Sequence, residues 1–252
     1  MIYHDDEQGS EAWLESRRGV LTGSMFRVAR DKLKDGRPSK AALLYAMDTA
    51  RERCGGRASE VYQNAAMRFG TEQEPLARQA YEARTGNIVE EAGFITTDDA
   101  KFGVSVDGLV DDDGLVEIKT IVSSDTLFAV LVDGDISAYL DQINGALWLL
   151  GRKWCDLCLW APDLPAGKLT VIRITRDENA IEALESDLIA FERLVSQYEA
   201  KLRAKLAPKP PPEFAASGKP AADMDAPWAL PTSPLKAVAP ASLPANPFEV
   251  AA

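Results

Sequence analysis

Between Ser105 and Thr120 two apolar runs flank an acidic turn that ends in Gly114, a pattern that reads as a β-hairpin. Strand side chains alternate between faces. Glu117 and Lys119 therefore share one face, while Val116 and Ile118 point into a core on the other. A three-residue loop, Asp112-Asp113-Gly114, pairs Asp111 with Leu115 and Asp107 with Lys119, and puts Gly114 where a left-handed bulge residue is needed. Loops of two or four residues would turn Asp107 to the wrong face. The pattern thus favours the register that gathers Asp107, Glu117 and Lys119.

The rest of the chain predicts a mixed α/β body. Ser10 to Arg17 reads as a short helix capped by Ser10 and anchored by Trp13. Thr22 can cap a second helix through Arg30, and a third runs from Ser39 to about Cys54. Asn64 to Thr85 is a long helical stretch in which Pro75 marks a kink or a fresh first turn, closed by Gly86. A strand follows near Ile88 to Thr96, then the hairpin. Ser137 to Leu150 reads as a helix ending at Gly151. Lys153 to Trp160 and Lys168 to Thr175 read as strands. A last helix, capped by Asp177, reaches Leu206.

At Ala207 the composition changes. Pro208-Lys209-Pro210-Pro211-Pro212 breaks the helix, and the Ala- and Pro-rich remainder cannot bury a core. The expected division is a folded domain over 1–206 and a disordered tail over 207–252. Two apolar islands, Pro227 to Leu230 and Asn246 to Val250, read either as drift in an unconstrained tail or as short docking motifs for a partner.

Composition narrows the chemistry. No apolar run approaches the ~20 residues of a membrane helix. The acidic N-terminus lacks the regions of a signal peptide, so a cytoplasmic location is expected. The single histidine, His4, sits at the terminus where fraying is expected. This argues against a Ser-His-Asp triad and histidine-ligated zinc. Cys155 and Cys158 fall on opposite faces of a strand and Cys54 is distant, so the three read as free thiols. Carboxylates, Lys, Arg and hydroxyls remain, a set that suits Mg²⁺ or Mn²⁺. With 28 Lys and Arg against 39 Asp and Glu, the net charge of -11 argues against nucleic acid. Basic residues nevertheless cluster at Arg17-Arg18, between Arg27 and Lys34, and between Arg51 and Arg57. A basic groove in an acidic exterior would accommodate both facts. On the local pattern alone, a surface hairpin with a cross-strand salt bridge stays open beside a metal site.

Four blocks in order resemble the YqaJ-type viral recombinase group, related to phage lambda exonuclease, within the PD-(D/E)xK nuclease superfamily. They are Trp13 to Ser24, similar to W-x-x-x-R-x-G-x-x-T-x-S; Gly70 to Ala77 with Tyr81-Glu82 and Thr85-Gly86; Asp107 with Glu117-Ile118-Lys119; and Tyr139 to Trp148 with Gly151 to Trp154. Together they cover about Gln8 to Leu206. Val106 stands where the family usually has proline, which bears on local geometry and leaves the chemistry intact. The resemblance implies a restriction-endonuclease-like fold, a central mixed sheet flanked by helices. It implies a Mg²⁺-dependent double-stranded DNA exonuclease, 5′→3′, that leaves 3′ overhangs for phage-type recombination in a bacterial host cytoplasm. An endonuclease or repair nuclease of the superfamily, or a non-catalytic DNA-end module, is the alternative. Asp107, Glu117 and the Ile118 carbonyl would hold the metal, with Glu74 as the helical carboxylate; Glu72 and Glu82 compete for that role. Lys119 would act on the attacking water, and Gln142 would line the site. Arg17 and Ser24 would contact the terminal 5′-phosphate. Trp13, Trp148 and Trp154 read as core. A homotrimeric ring is implied, and a single-strand annealing or single-strand-binding protein is the natural partner for the tail.

Overall fold

In chain order the elements are β1 (Ile2–His4), α1 (Glu11–Arg17), β2 (Leu21–Thr22), a 3-10 turn (Gly23–Met25), α2 (Phe26–Arg30), α3 (Lys40–Arg53), α4 (Ala65–Thr85), β3 (Phe94–Thr96), β4 (Phe102–Ser105), β5 (Gly108–Val110), β6 (Gly114–Thr120), α5 (Ser124–Leu131), α6 (Ser137–Leu150), β7 (Trp154–Trp160), β8 (Leu169–Thr175) and α7 (Glu178–Leu206). The computed structural model describes residues 1–57, 65–165 and 168–207. The apolar islands at Trp228 and Phe248 lie outside the described residues.

Capping explains the starts of α1, α3 and α7. The hydroxyls of Ser10 and Ser39 accept the N–H groups of Trp13 and Ala42, and Asp177 accepts those of Asn179 and Ala180. Thr22 makes no such bond: the chain passes through the 3-10 turn before α2 begins. Pro75 does not end α4, which runs on to Thr85 with Gly86 left-handed beyond it. Gly151 closes α6 in the same conformation.

The strands form two four-stranded mixed sheets, ordered β1-β3-β4-β2 and β5-β6-β7-β8. In the second, β6 and β7 pair in parallel at the centre, and β5 and β8 run antiparallel at the edges. Both faces of the central pair are covered. Leu115, Cys155, Leu157 and Leu159 join a core with α2, α3, α6 and α7. Val116, Ile118, Cys158 and Trp160 join a second core with Ala77 and Tyr81 of α4. The two buried free thiols, Cys155 and Cys158, thus lie on opposite faces as the spacing predicts.

Several short elements were not foreseen, β1, β2 and α5 among them. β1 pairs antiparallel with β3, so His4 is not frayed; its ring bonds the Thr96 hydroxyl and lies against Phe94. α5 follows β6 and buries Val130 while Phe128 stays exposed. The strand expected from Ile88 shrinks to β3. Glu82 takes the Val89 N–H, and Gly93 packs so tightly on the His4 carbonyl that a Cβ there would clash.

Candidate active site

The β5–β6 hairpin has a three-residue loop, but one position earlier than the expected one. The loop is Asp111-Asp112-Asp113, between paired Val110 and Gly114. The left-handed residue is Asp111, with φ 46°, and Gly114 opens β6 instead. The reason lies 40 residues away in Trp154, whose indole covers Gly114; a Cβ there would fall 2.2 Å from the ring. Lys153 and Arg152 then hold the loop carbonyls of Asp113 and Asp111. The displacement changes the register by two, which preserves faces. Extending the observed ladder puts Asp107 level with Glu117, not with Lys119.

Asp107 lies in the bend that carries the chain from β4 in one sheet to β5 in the other. Its Oδ2 accepts the Ile118 N–H at 2.6 Å. Glu117 is 3% exposed. Its Oε1 meets Lys119 Nζ at 2.5 Å and accepts Gln142 Nε2 at 2.6 Å. The Gln142 carbonyl oxygen faces the same ammonium at 3.4 Å. Gln142 comes from α6, one turn after half-buried Tyr139, and ties that helix to the centre of β6. The structure therefore brings Asp107, Glu117, Lys119 and Gln142 together.

Glu74 approaches from α4. That helix is docked on β7 by Trp160 Nε1 to Gln73 and by the Tyr81 hydroxyl to buried Asp156, which Arg173 also grips by both oxygens. Glu74 Oε1 accepts Arg78 Nη2 at 2.8 Å. Of its rivals, Glu82 accepts the Val89 N–H, and Glu72 is exposed but lines the same cleft as Glu74. A cleft of ≈ 1020 Å³ opens beside these groups, with Trp13, Thr71, Glu74, Ile118 and Lys119 in its wall. Trp13, expected in the core, is half-buried on that wall.

The charges explain one another. Burial pushes the Glu117 carboxyl up to about 7, with Asp107 and Glu74 adding to the rise against Lys119. Burial also raises Asp107, opposed by Lys119 and by the Ile118 N–H. Glu74 is raised by burial and then by Asp107, opposed by Arg78 and Lys119. Burial disfavours the Lys119 ammonium, but Glu117 and Asp107 outweigh it and hold its proton above the ordinary lysine range. The site is a knot of acids whose burial raises their affinity for protons, opposed by Lys119 and Arg78.

Among the described residues no three His, Cys, Asp or Glu side chains are grouped closely enough to hold a cation. Buried Glu117 and half-buried Asp107 do supply two carboxylates beside one strand. The N–H and C=O of a strand residue face the same edge, so the Ile118 carbonyl faces the Asp107 side. This is a hard oxygen set with room for water in the adjoining cleft, the kind of partial shell in which Mg²⁺ is held. The residues fit such a cation.

Arg17 forms a second feature. Its guanidinium lies between the Trp13 and Phe94 rings, 4.3 and 4.8 Å from their centroids, and donates to the Ser105 hydroxyl at 3.0 Å. It has no carboxylate partner among the described residues. Burial lowers it to about 10, so it remains cationic at neutral pH. Ser105, the last residue of β4, is two residues before Asp107. Ser24 is exposed in the 3-10 turn, whose Gly23 packs beside Gln142.

The sequence pattern of the YqaJ-like viral recombinase domain matches residues 12–153, more than half of the chain. The chain belongs to this family. The matched stretch holds Arg17, Ser24, Glu74, Asp107, Glu117, Lys119 and Gln142. The chain is also similar to an alkaline exonuclease (LHK-Exo) from Laribacter hongkongensis, at 32% identity over 79% of this chain and 98% of that one, with a TM-score of 0.70. The structure of LHK-Exo in complex with dAMP gives 0.71 at the same identity and coverage. A phage-related exonuclease from Haemophilus somnus 129PT shares the fold at 15% identity, over 73% of this chain and 96% of that one, with a TM-score of 0.56. No curated protein sequence matches significantly. The YqaJ-like chain thus has the mixed α/β nuclease fold, and no helix among its described residues is long and apolar enough to cross a membrane.

Proposed function

We propose that this protein is a divalent-cation-dependent exonuclease that enters double-stranded DNA at its ends, degrades the 5′-ending strand and leaves 3′ overhangs for recombination by annealing. The observation that carries this reading is the meeting of Asp107, Glu117, Lys119 and Gln142 at one edge of β6. Membership of the YqaJ-like family and the 32% identity to an alkaline exonuclease support it.

Asp107, Glu117 and the Ile118 carbonyl would hold the cation, Mg²⁺ or Mn²⁺, with Glu74 as a further carboxylate. When bound, such a cation supplies a Lewis acid for a phosphoryl oxygen and acidifies water. Gln142 fixes the Glu117 carboxylate through its amide N–H. Lys119, whose Nζ lies 2.5 Å from Glu117, would position or help deprotonate the attacking water and neutralise charge at phosphorus. Arg17, in contact with the Trp13 and Phe94 rings, would present a guanidinium fork to a terminal 5′-phosphate, and the Ser24 hydroxyl would add a donor. The body over 1–206 carries this chemistry in the host cytoplasm. The tail over 207–252 tethers a single-strand annealing or single-strand-binding protein. A homotrimeric ring would set a basic channel inside an acidic exterior.

The test is digestion of end-labelled linear duplex beside closed circular plasmid, with Mg²⁺ or EDTA. Loss of linear DNA alone, with the 5′ label released first and only with Mg²⁺, is expected. Nicking of the circle would make the protein an endonuclease, and survival of both would leave a binding module.

A further inference from the structure

Arg78 belongs to none of the sequence blocks, yet it is bonded to Glu74 of the site. It lies one turn after Glu74, at the spacing that puts two side chains on one helical face. Its side chain is 14% exposed. Nη2 grips Glu74 Oε1 at 2.8 Å, and Nη1 pairs with Glu91, which is 75% exposed. Nε is buried without a hydrogen-bond acceptor among the described residues. Its charge reaches Asp107 as well and opposes the rise of that carboxyl.

These facts fit a clamp better than a helix-stabilising pair. An i,i+4 pair that served α4 alone would sit in solvent, where it keeps side-chain freedom and full hydration. This guanidinium is instead withdrawn from water with one N–H unmatched, an arrangement that calls for a local explanation. Glu91 fixes its far end from outside. Its near end occupies one oxygen of Glu74, while Oε2 carries no hydrogen bond among the described residues. A carboxylate held by one oxygen keeps the other aimed, which is how outer partners orient metal-binding side chains.

We propose that Arg78 is the positioning residue of the site: braced by Glu91, it holds Glu74 by Oε1 and aims Oε2 at the cation position beside Asp107. This rests on the nuclease reading above. Arg78 touches neither substrate nor reacting atoms and acts through Glu74.

The test uses Arg78→Gln and Arg78→Lys, alone and combined with Glu74→Gln, in the full chain. Mn²⁺ affinity is read by titration calorimetry, cleavage of linear duplex by initial rates, and the fold by thermal unfolding without metal. Arg78→Gln should weaken Mn²⁺ binding by about 10-fold or more, the usual effect of losing such a partner. Arg78→Lys keeps the charge but not the fork and should recover only part of the loss. In the Glu74→Gln background, Arg78→Gln should weaken Mn²⁺ binding no further. Unchanged or tighter Mn²⁺ binding by either folded single variant would overturn the clamp, as would an equal loss in both backgrounds. Should Arg78→Gln not fold, Arg78→Lys alone carries the comparison. A wild-type chain that binds no Mn²⁺ overturns the nuclease reading together with this one, whereas binding insensitive to Arg78 overturns only the clamp.

Discussion

Asp107→Asn, Glu117→Gln and Lys119→Met are each expected to slow DNA cleavage by about 10²–10³-fold or more, the scale of losing a charged group aimed at the reacting phosphate. The fold should survive. Glutamine mimics the protonated acid that burial already favours at position 117, so Glu117→Gln should unfold near the wild-type temperature. The variants should differ in kind. Loss of Asp107 or Glu117 removes oxygen ligands, and excess Mn²⁺ should restore part of the rate. Loss of Lys119 removes a donor, and added metal should restore nothing. Initial rates on linear duplex across a Mn²⁺ titration separate these cases. A Lys119→Met enzyme at the wild-type rate would remove Lys119 from the chemistry.

The second large effect concerns the end of the substrate. Arg17→Ala should erase the preference for 5′-phosphorylated over 5′-hydroxyl ends, a loss of about 10–100-fold on phosphorylated DNA. That range corresponds to one charge-assisted contact of about 1.5–3 kcal/mol. The guanidinium is already in contact with the Trp13 and Phe94 rings and held by Ser105, so little ordering is left to do when phosphate arrives. Arg17→Lys keeps the charge but neither the fork nor the stacking, and should recover only part of the preference. Competition between the two kinds of end in one reaction measures it. A wild-type enzyme indifferent to the end group would remove this role.

Local rules reached far into this molecule. Period-two alternation placed Glu117 and Lys119 on one face, and that parity survived an error in the loop because a register change of two leaves faces intact. The error was not avoidable from the hairpin's own residues. Gly114 looks like a bulge glycine, but its role is to admit the ring of Trp154 from the neighbouring strand. β1 was missed for a similar reason: three residues at a terminus form a strand only because β3 lies alongside. Gln142 entered through family resemblance, since nothing in a helical glutamine announces that it will reach Glu117. Arg78 went unmarked although its spacing from Glu74 was legible. An i,i+4 acid–base pair is so common on solvated helices that only its burial and its unmatched Nε set it apart.

The central claim is that Asp107 and Glu117 form a cation site for which protons compete, because burial raises both carboxyls. Burial holds the Glu117 proton up to a pH of about 7, so below that pH a cation must displace it. Titration calorimetry with Mn²⁺ at pH 6 and pH 8, in buffers of different ionisation enthalpy, reads both binding and proton release. One ion per chain should bind more tightly at pH 8, and more protons should be released at pH 6. Glu117→Gln should abolish both the tight binding and the pH-dependent release. No binding by the wild-type chain, or binding of equal strength in Glu117→Gln, would contradict the account.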